Sequence, residues 1–411
     1  MRLRHRDGTL VHLSYCTNVH PDETLDGVIA QLERFAAPVR ERLGAPLLGV
    51  GLWLARGTVT TLRTVPGALS QLRSELERHG LEVVTLNGFP YAGFHDPTVK
   101  KAVYSPDWTE QARLDYTVDL AHILAELLPI DAARGSISTL PLGWRDPWDG
   151  EQHAAATARL SRLAGELEAL RVQTGRVIRV ALEPEPGCIV QDTTQAAALL
   201  GPIAAAAAFH AVTGSVDPSI GICLDACHLA TGWEEPLPAL ARLADAGLAV
   251  VKLQASAALQ IDDPLDPAAR AALRTFAEER FLHQTRERAG DTPLERDDLA
   301  DALGGDHPLP GDDAWRVHFH VPMHSEPVAP LRSTRDHLDQ TLAAMFGGPT
   351  ALTDHVELET YTWGVLPTGA RPTDDAGLID GIAAEIAWVR DRLREHGLTE
   401  VPAAAHSAVA Q

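Results

Sequence analysis

The sequence predicts an α/β barrel, in which parallel strands alternate with helices and close into a ring. Short apolar runs typical of buried strands alternate along the chain with amphipathic segments of helical spacing, which favours a parallel sheet covered by helices. Five of these runs also carry polar side chains near their carboxyl ends. Closure into a barrel explains this placement, because the polar ends then converge at one mouth.

The predicted strands follow an N-terminal β-hairpin that turns at Asp7-Gly8, a strong turn pair. Nine segments have the pattern of strands: residues 13–20, 48–55, 81–86, 135–141, 177–183, 220–225, 249–254, 316–320 and 356–361. A (β/α)8 barrel contains only eight strands, so one of the nine segments lies outside it. Either the strand of Lys252 or the strand of His318 is therefore the seventh barrel strand, and the other is an addition.

Helical spacing occurs between most of these strands. The predicted helices cover residues 23–42, 69–79, 108–128, 154–172, 194–209, 237–246, 334–345 and 375–395. The alternation breaks at 255–315, where turn-rich sequence surrounds two helices, 267–281 and 296–303, that lack a strand partner. We expect this segment to be an insertion on the barrel mouth, with residues 1–400 forming one domain and 401–411 a disordered tail.

The loop at 87–108 is rich in aromatic residues and glycine and carries Lys100 and Lys101. It is either a lid over a polar ligand or a surface loop with a small core of its own. We favour the lid, because long ordered loops are often functional.

Composition narrows the function. The 411 residues carry a formal net charge of −21, which argues against a nucleic-acid partner because phosphates require a basic surface. A mean hydropathy of −0.07 and the lack of any apolar run of membrane-spanning length argue against a membrane span. The N-terminus shows no signal peptide, and four cysteines are too few for a disulfide scaffold. These features predict a cytoplasmic location.

The polar strand ends carry the candidate chemistry. Alternation along residues 177–183 places three apolar side chains on one face and Glu183 on the other, and residues 220–225 end in Asp225 in the same way. The remaining candidates at such ends are His228, Lys252, Gln254, Arg316, His318, His320, Glu357 and Glu359. One such segment alone could simply cap a loop, but chance does not account for five.

Several strings resemble the EboE family, which is labelled a metabolite-traffic protein and accompanies secondary-metabolite clusters in bacteria. The strings are LSYCTNVHP (13–21), NGFPYAGFH (87–95), VYSPDW (103–108), GSISTLPLG (135–143), LEPEPGC (182–188), HQTR (283–286), WRVHFHVP (315–322) and ELETYTW (357–363). The order of a glutamate, a D-x-x-H motif and a final glutamate is similar to that of the xylose isomerase-like TIM-barrel superfamily. Members of that superfamily isomerise or epimerise sugars and related polyols with a divalent metal.

Carried over position by position, the resemblance implies Glu183, Asp225 and Glu359 as metal ligands, together with a ligand on the seventh strand. That fourth ligand is Gln254 if the Lys252 strand is the seventh, and His320 if the His318 strand is. We favour His320, because a histidine pair on an inward face is hard to explain as packing. The predicted ion is divalent: zinc, manganese, iron, cobalt or magnesium.

The chemistry that the resemblance implies needs a carboxylate base and a metal that polarises the substrate carbonyl. The predicted catalytic residues are Glu183, Glu357, Lys252 and His228, with Glu185 as an alternative base. The predicted substrate-binding residues are His20, Asn87, His228, Gln254, Arg316 and His318, with Arg316 and Lys252 suited to an anionic substrate group.

Each of these assignments has a structural alternative. Glu185, which lies between two prolines, could only shape a turn, and Glu357 could form a buried ion pair with Arg316 or Lys252. Cys227 beside His228 lacks the spacing of a zinc site and is more often a core residue.

Three functions stay open at this point. The first is a metal-dependent isomerase or epimerase acting on a sugar, cyclitol or sugar phosphate. The second is a barrel that binds or carries a small polar metabolite without turnover. The third is a metal hydrolase or endonuclease, against which the acidic charge counts. A homodimer is compatible with any of them.

Overall fold

Eight parallel strands close into a barrel in the computed structural model, which describes residues 1–210, 218–290 and 292–401. The barrel strands are β2 (Leu10–Cys16), β3 (Leu48–Trp53), a split third strand of β4 (Leu81–Glu82) and β5 (Thr85–Asn87), β6 (Gly135–Thr139), β7 (Ile178–Leu182), β8 (Ile220–Asp225), β9 (Val250–Ala255) and β15 (His355–Leu358). The ring closes because β15 pairs with both β9 and β2. The predicted (β/α)8 barrel is confirmed.

The N-terminal hairpin is also confirmed. Strand β1 (Arg2–Arg4) pairs antiparallel with β2, and Gly8 in the turn has a φ of +94°, which a side chain would oppose. A last short strand, β16 (Thr399–Glu400), pairs with β1. The first barrel strand is shorter than predicted, since it ends at Cys16 and Thr17–Val19 form a 3₁₀ turn.

Helices cover the outside of the barrel, and two more lie in the insertion. They are α1 (Leu25–Gln31), α2 (Ala37–Arg42), α3 (Arg56–Thr64), α4 (Ala68–Arg78), α5 (Gln111–Leu127), α6 (Gly150–Thr174), α7 (Thr193–His210), α8 (Ala226–Thr231), α9 (Pro236–Asp245), α10 (Pro267–Arg274), α11 (Leu299–Gly304), α12 (Arg335–Phe346) and α13 (Asp375–Glu395). Helices α10 and α11 are the two in the insertion. Among the described residues, no helix combines the length and the apolar character that crossing a membrane requires.

The helix boundaries follow local chemistry. Helix α6 starts at a capping box between Asp149 and Gln152 and ends at Gly175, whose φ is +72°. The predicted helix at 23–42 is interrupted by a π-helical turn at Leu32–Ala36. Helix α3 was missed, because its threonine-rich sequence has low helix propensity.

The insertion differs from its prediction. It contains a second, antiparallel sheet of five short strands, which are β10 (Leu259–Ile261), β11 (Thr285–Glu287), β12 (Leu294–Arg296), β13 (Trp315–Val317) and β14 (Arg332–Ser333). Their order in the sheet is β12-β11-β13-β10-β14. The insertion therefore reaches Ser333 and not 315. Its strands escaped prediction because two or three residues are too few to show alternation.

This sheet decides which strand is the seventh of the barrel. Strand β9, which carries Lys252, pairs in parallel with β8 and β15, whereas the segment of His318 follows β13 in the insertion.

The predicted helix 267–281 ends at Arg274. The tail predicted at 401–411 falls almost entirely outside the described residues.

An ion pair lies inside the barrel beneath its mouth. Lys252 Nζ lies 2.7 Å from Glu357 Oε2, and neither side chain is exposed to solvent. Lys252 also donates to Ser138 Oγ at 3.1 Å. Gly51 on β3 provides the space, because a Cβ atom there would lie 1.3 Å from Glu357 Oε1. Of the two partners considered for Glu357, the structure selects Lys252.

We expect Gly51→Ala to destabilise the protein by about 1–3 kcal/mol, because the added methyl group overpacks the barrel and displaces Glu357 from Lys252. Urea unfolding measures the change. Gly57→Ala in α3 is the control, since a Cβ there meets nothing within 4 Å. Equal stabilities of the two variants would contradict this account.

Candidate metal centre at the barrel mouth

A cavity of about 60 Å³ lies at the carboxyl ends of the barrel strands. Its polar wall includes three glutamates and three histidines, namely Glu183, Glu185, Glu359, His228, His318 and His320. Room of this size holds a few water molecules, so a sugar-sized ligand needs its cover to move.

The loop after β5 and part of the insertion form that cover. Val99 N and Lys100 N both donate to Arg280 O at 2.8 Å, and Lys100 Nζ forms an ion pair with Asp298 at 2.6 Å. The loop after β5 is thereby fastened to the insertion. The rings of Phe94, Phe281 and Tyr361 pack together over the cavity with centroid distances of 4.9–5.3 Å. The loop therefore lines the cavity, and its role as a lid stays a prediction.

Three carboxylates meet at the centre of the mouth. Glu183 directly follows β7, Asp225 is the last residue of β8, and Glu359 directly follows β15. They offer ligand oxygens that all lie within 4.8 Å of one another, and all three residues are buried. Parallel strands end at the same rim of a barrel, which is why residues far apart in sequence converge here.

Burial makes this convergence electrostatically unfavourable. It raises the pKa of Glu183 well above its usual value, and the neighbouring Glu359 and Asp225 raise it further. Burial is also the largest cause that raises the pKa of Glu359, and the nearby Asp225 and Glu357 raise it further, to about 8. A divalent cation between the carboxylates would replace this repulsion by attraction.

The hydrogen bonds leave ligand positions open. Asp225 Oδ1 accepts from His228 N at 2.9 Å and from Ser256 Oγ at 2.8 Å, while its Oδ2 atom is buried without a hydrogen-bond partner among the described residues. Gln254 Oε1, which can bind a cation, is in the same situation within the described part of the chain, and so is Gln254 Nε2, which can only donate a hydrogen bond. Unpaired buried polar atoms are costly, so a ligand is the natural partner. The residues present fit a divalent ion.

Two asparagines orient Glu359. Asn18 Nδ2 and Asn87 Nδ2 each donate to Glu359 Oε1 at 2.8 Å. Amide donors of this kind fix a carboxylate ligand in place. Asn87, predicted to bind substrate, lies in the cavity wall and holds Glu359.

Three histidine rings flank the carboxylates. His228 lies on α8, and His318 and His320 follow β13 in the insertion. Burial lowers the pKa of His228 to about 4 and, together with the neighbouring rings, lowers that of His318 well below its usual value. Burial also lowers the pKa of His320. The rings are therefore neutral at pH 7.

Glu185 reaches into the cavity. Tyr104 Oη donates to Glu185 Oε1 at 2.7 Å, and Gln284 Nε2 donates to the same atom at 3.0 Å. Burial raises the pKa of Glu185 to about 7 even though both hydrogen bonds lower it. A carboxyl group with such a pKa exchanges a proton readily near neutral pH.

Four predicted site residues lie elsewhere. His20 does not line the cavity: its ring stacks on Phe35 with centroids 4.4 Å apart. Arg316 packs its guanidinium 3.9 Å from the ring centroid of Trp233 and donates to Gln260. Lys252 and Glu357 face each other beneath the cavity. None of these four side chains lines the cavity, and their predicted roles in catalysis and substrate binding stay untested.

Sequence reasoning overlooked several supporting residues, namely Tyr104, Ser256, Gln284 and Tyr361. Tyr104, Gln284 and Tyr361 stand within the strings that resemble the EboE family, so that resemblance was the available signal. Ser256 follows β9 directly and has no sequence signal beyond that position.

Some solved structures are similar to this chain, but the comparisons assign it to no family. No family model and no curated protein matches the sequence. Among solved structures, the probable 3-DHS dehydratase AsbF from Bacillus anthracis has a TM-score of 0.45 at 13% identity, with 92% of this chain and 98% of that chain covered. A D-allulose 3-epimerase from Methylomonas sp. has a TM-score of 0.49 at 11% identity, with 96% and 100% covered.

The IolI protein with a bound zinc atom has a TM-score of 0.47 at 11% identity, with 94% of this chain and 99% of that chain covered. The barrel assignment rests on the strand pairing and not on these similarities. The resemblance to the EboE family stays a prediction.

We expect Lys252→Met to destabilise the protein by about 3–5 kcal/mol, because it leaves Glu357 buried without a counter-charge. The double variant Lys252→Met/Glu357→Gln should recover much of this loss. Denaturant unfolding of both single variants and the double variant gives the coupling energy. Additive effects would show that the two side chains do not interact.

The buried carboxyl group of Glu385 on α13 makes the stability of the folded protein depend on pH. Its carboxylate accepts from Met323 N at 3.0 Å, from Thr360 Oγ1 at 2.9 Å and from Trp363 Nε1 at 3.2 Å, yet burial raises its pKa from 4.5 to about 7. The folded chain then holds a proton that the unfolded chain has lost. Stability from this group is full below pH 4.5 and disappears as the pH rises through about 7.

We therefore expect Glu385→Gln to flatten the fall in stability between pH 5 and 8, by about 1–3 kcal/mol over that range. Melting temperatures across the range measure it. Glu166→Gln, an exposed change on α6, should keep the wild-type slope. Identical slopes for wild type and Glu385→Gln would refute the assignment.

Proposed function

We propose that the protein is a metal-dependent isomerase or epimerase of xylose isomerase-like type, acting on a sugar, cyclitol or sugar phosphate. The observation that carries this proposal is the meeting of Glu183, Asp225 and Glu359 within 4.8 Å, with Asp225 Oδ2 unpartnered among the described residues. The resemblance to EboE sequences adds an expected link to secondary metabolism or metabolite traffic in the cytoplasm.

A divalent ion bound there would polarise a substrate carbonyl and stabilise the negative charge of an enediolate. Zinc, manganese, iron, cobalt and magnesium all bind such oxygen-rich sites to differing degrees. Gln254 lies beside Asp225 in the strand register, at the ligand position of the seventh strand. His320 comes within 4.8 Å of Asp225 from the insertion. Both alternatives for the fourth ligand thus place a side chain next to Asp225.

The remaining residues divide the work of proton transfer. Glu185, with a pKa raised to about 7 by burial, can hold the proton that leaves one substrate carbon and return it to the neighbouring carbon. Tyr104 and Gln284 fix the position of this carboxyl group. The aromatic cover of Phe94 and Phe281 limits the access of water, which would otherwise compete for that proton.

The test combines metal content with turnover. We expect Glu359→Gln to weaken metal binding at the carboxylates at least about tenfold and to lower turnover at least about 100-fold. Ion content after dialysis and NMR of a panel of ketoses, aldoses, cyclitols and their phosphates report both. Glu166→Gln, a change at an exposed position on α6, is the control, and it should bind metal and turn over substrate like the wild type.

The outcomes separate the candidate functions. Conversion of any panel member into its isomer or epimer, lost in Glu359→Gln, supports the enzyme. Tight binding of a panel member without conversion supports the carrier, and failure of Glu359→Gln to change metal content contradicts the proposed site.

A further inference from the structure

We propose that Asp298 in the insertion determines the substrate class of the barrel mouth. By pairing with Lys100 it neutralises the cation that a phosphate group needs, so that the cavity takes an uncharged polyol and rejects a phosphorylated one. This inference rests on the proposed function, because it narrows the sugars, cyclitols and sugar phosphates considered there to the uncharged members.

The charged side chains of the cavity wall are mostly acidic. Three glutamates line it, and among the described residues Lys100 is the one lysine or arginine that does so. Lys252 and Arg316, the other cations considered for an anionic substrate group, lie elsewhere. The three histidines of the wall are neutral at pH 7, because burial lowers the pKa of each. A phosphate group in this cavity therefore depends on Lys100.

A bound metal ion does not reverse this balance. Glu183, Asp225 and Glu359 offer carboxylate oxygens that lie within 4.8 Å of one another. Three carboxylates outweigh one divalent cation in charge. A phosphate dianion placed beside them meets repulsion that a site with little water screens poorly.

The insertion holds Lys100 in place. Its Nζ atom lies 2.6 Å from Asp298 Oδ2 and donates to Glu278 O at 3.0 Å, and its backbone N donates to Arg280 O at 2.8 Å. Only 23% of the Lys100 side chain and 16% of the Asp298 side chain are exposed, so solvent screens their attraction in part only. The positive charge is therefore engaged before a ligand arrives.

Asp298 is fixed by contacts of its own. It is the N-cap of α11, where its Oδ1 atom accepts from Leu299 N at 2.8 Å and from His283 N at 3.3 Å. The other oxygen, Oδ2, is the one that faces Lys100. If Lys100 turned to a phosphate group, it would leave a counter-charge that the helix prevents from following. Separating the two charges opposes phosphate binding.

The rest of the wall suits an uncharged ligand. Phe89, Phe94, Phe281 and Leu282 form an apolar side, opposite the glutamates and histidines. Apolar side chains cover the C–H groups of a polyol, and the polar side can exchange hydrogen bonds with its hydroxyl groups. A phosphate ester adds charged oxygens for which the apolar side has no donor.

Removing the charge of Asp298 tests the proposal. The probes are inorganic phosphate and two matched pairs, fructose with its monophosphate and inositol with its monophosphate. Binding to the intact protein in the presence of Mg²⁺ is measured by calorimetry and by ligand NMR. We expect the wild type to bind the uncharged member of a pair more tightly than the phosphorylated one.

In Asp298→Asn, Lys100 keeps its charge and loses its partner. We therefore expect inorganic phosphate and the phosphorylated probes to bind at least about tenfold more tightly than they bind to the wild type. The double variant Lys100→Met/Asp298→Asn should lose this gain, which would place the bound phosphate at Lys100.

Two further variants serve as controls. Asn caps a helix as well as Asp does, and Asp298→Ser, which also keeps a capping side chain, replaces Asp298→Asn if that variant does not fold. Asp301→Asn, at an exposed position on the same helix, changes the net charge by the same amount. It should bind phosphate like the wild type.

The proposal is overturned if neither Asp298 variant gains affinity for phosphate. It is also overturned if the wild type binds a phosphorylated probe more tightly than its uncharged partner. A loss of that binding in Lys100→Met would then show that Lys100 leaves Asp298 for the substrate. If no member of either pair binds, the gain for inorganic phosphate in the Asp298 variants decides.

Failure of the proposed function gives a different pattern. An uncharged probe that binds without being converted supports this inference and contradicts the enzyme. Conversion of the phosphorylated probes alone supports the enzyme and overturns this inference.

Discussion

An excess of buried negative charge at the barrel mouth is the constraint on which the rest of the structure depends. Glu183, Asp225 and Glu359 lie together out of solvent, and the lysine beneath them is already paired with Glu357. Charges in such surroundings must be neutralised, by protons or by a cation. Hydrogen bonds from Asn18 and Asn87 to Glu359, and from Ser256 to Asp225, hold these carboxylates in place at the mouth.

The sequence predicted the barrel and its three carboxylates because both leave a periodic signal. A buried strand repeats every two residues, and a side chain at its carboxyl end must lie at the common rim. Glu183, Asp225 and Glu359 therefore met as expected, although their ligand role is still a prediction. Arg316 and His20 illustrate the limit: polarity and position matched the pattern, but packing against Trp233 and Phe35 turned their side chains elsewhere.

The insertion could not be predicted in the same way. Its strands are two or three residues long and its pairing is antiparallel, so neither length nor alternation distinguishes them from loops. The uncertainty over the seventh strand came from this segment. The preference for His320 as the ligand on the seventh strand was wrong about the strand, because that place belongs to β9 and Gln254. His320 comes near Asp225 from the insertion, and its role as a ligand stays a prediction. Its neighbour His318 reaches the same cavity by the same route.

His318 and His320 belong to the insertion and His228 lies on α8, so the three rings in the cavity wall come from separate stretches of the chain. In the described part of the chain, the strands of the barrel pair only with one another and with the N- and C-terminal strands β1 and β16, and the strands of the insertion form a separate sheet. The wall of the cavity is therefore divided between the barrel, which supplies the carboxylates, and one connecting segment, which supplies two of the imidazole rings.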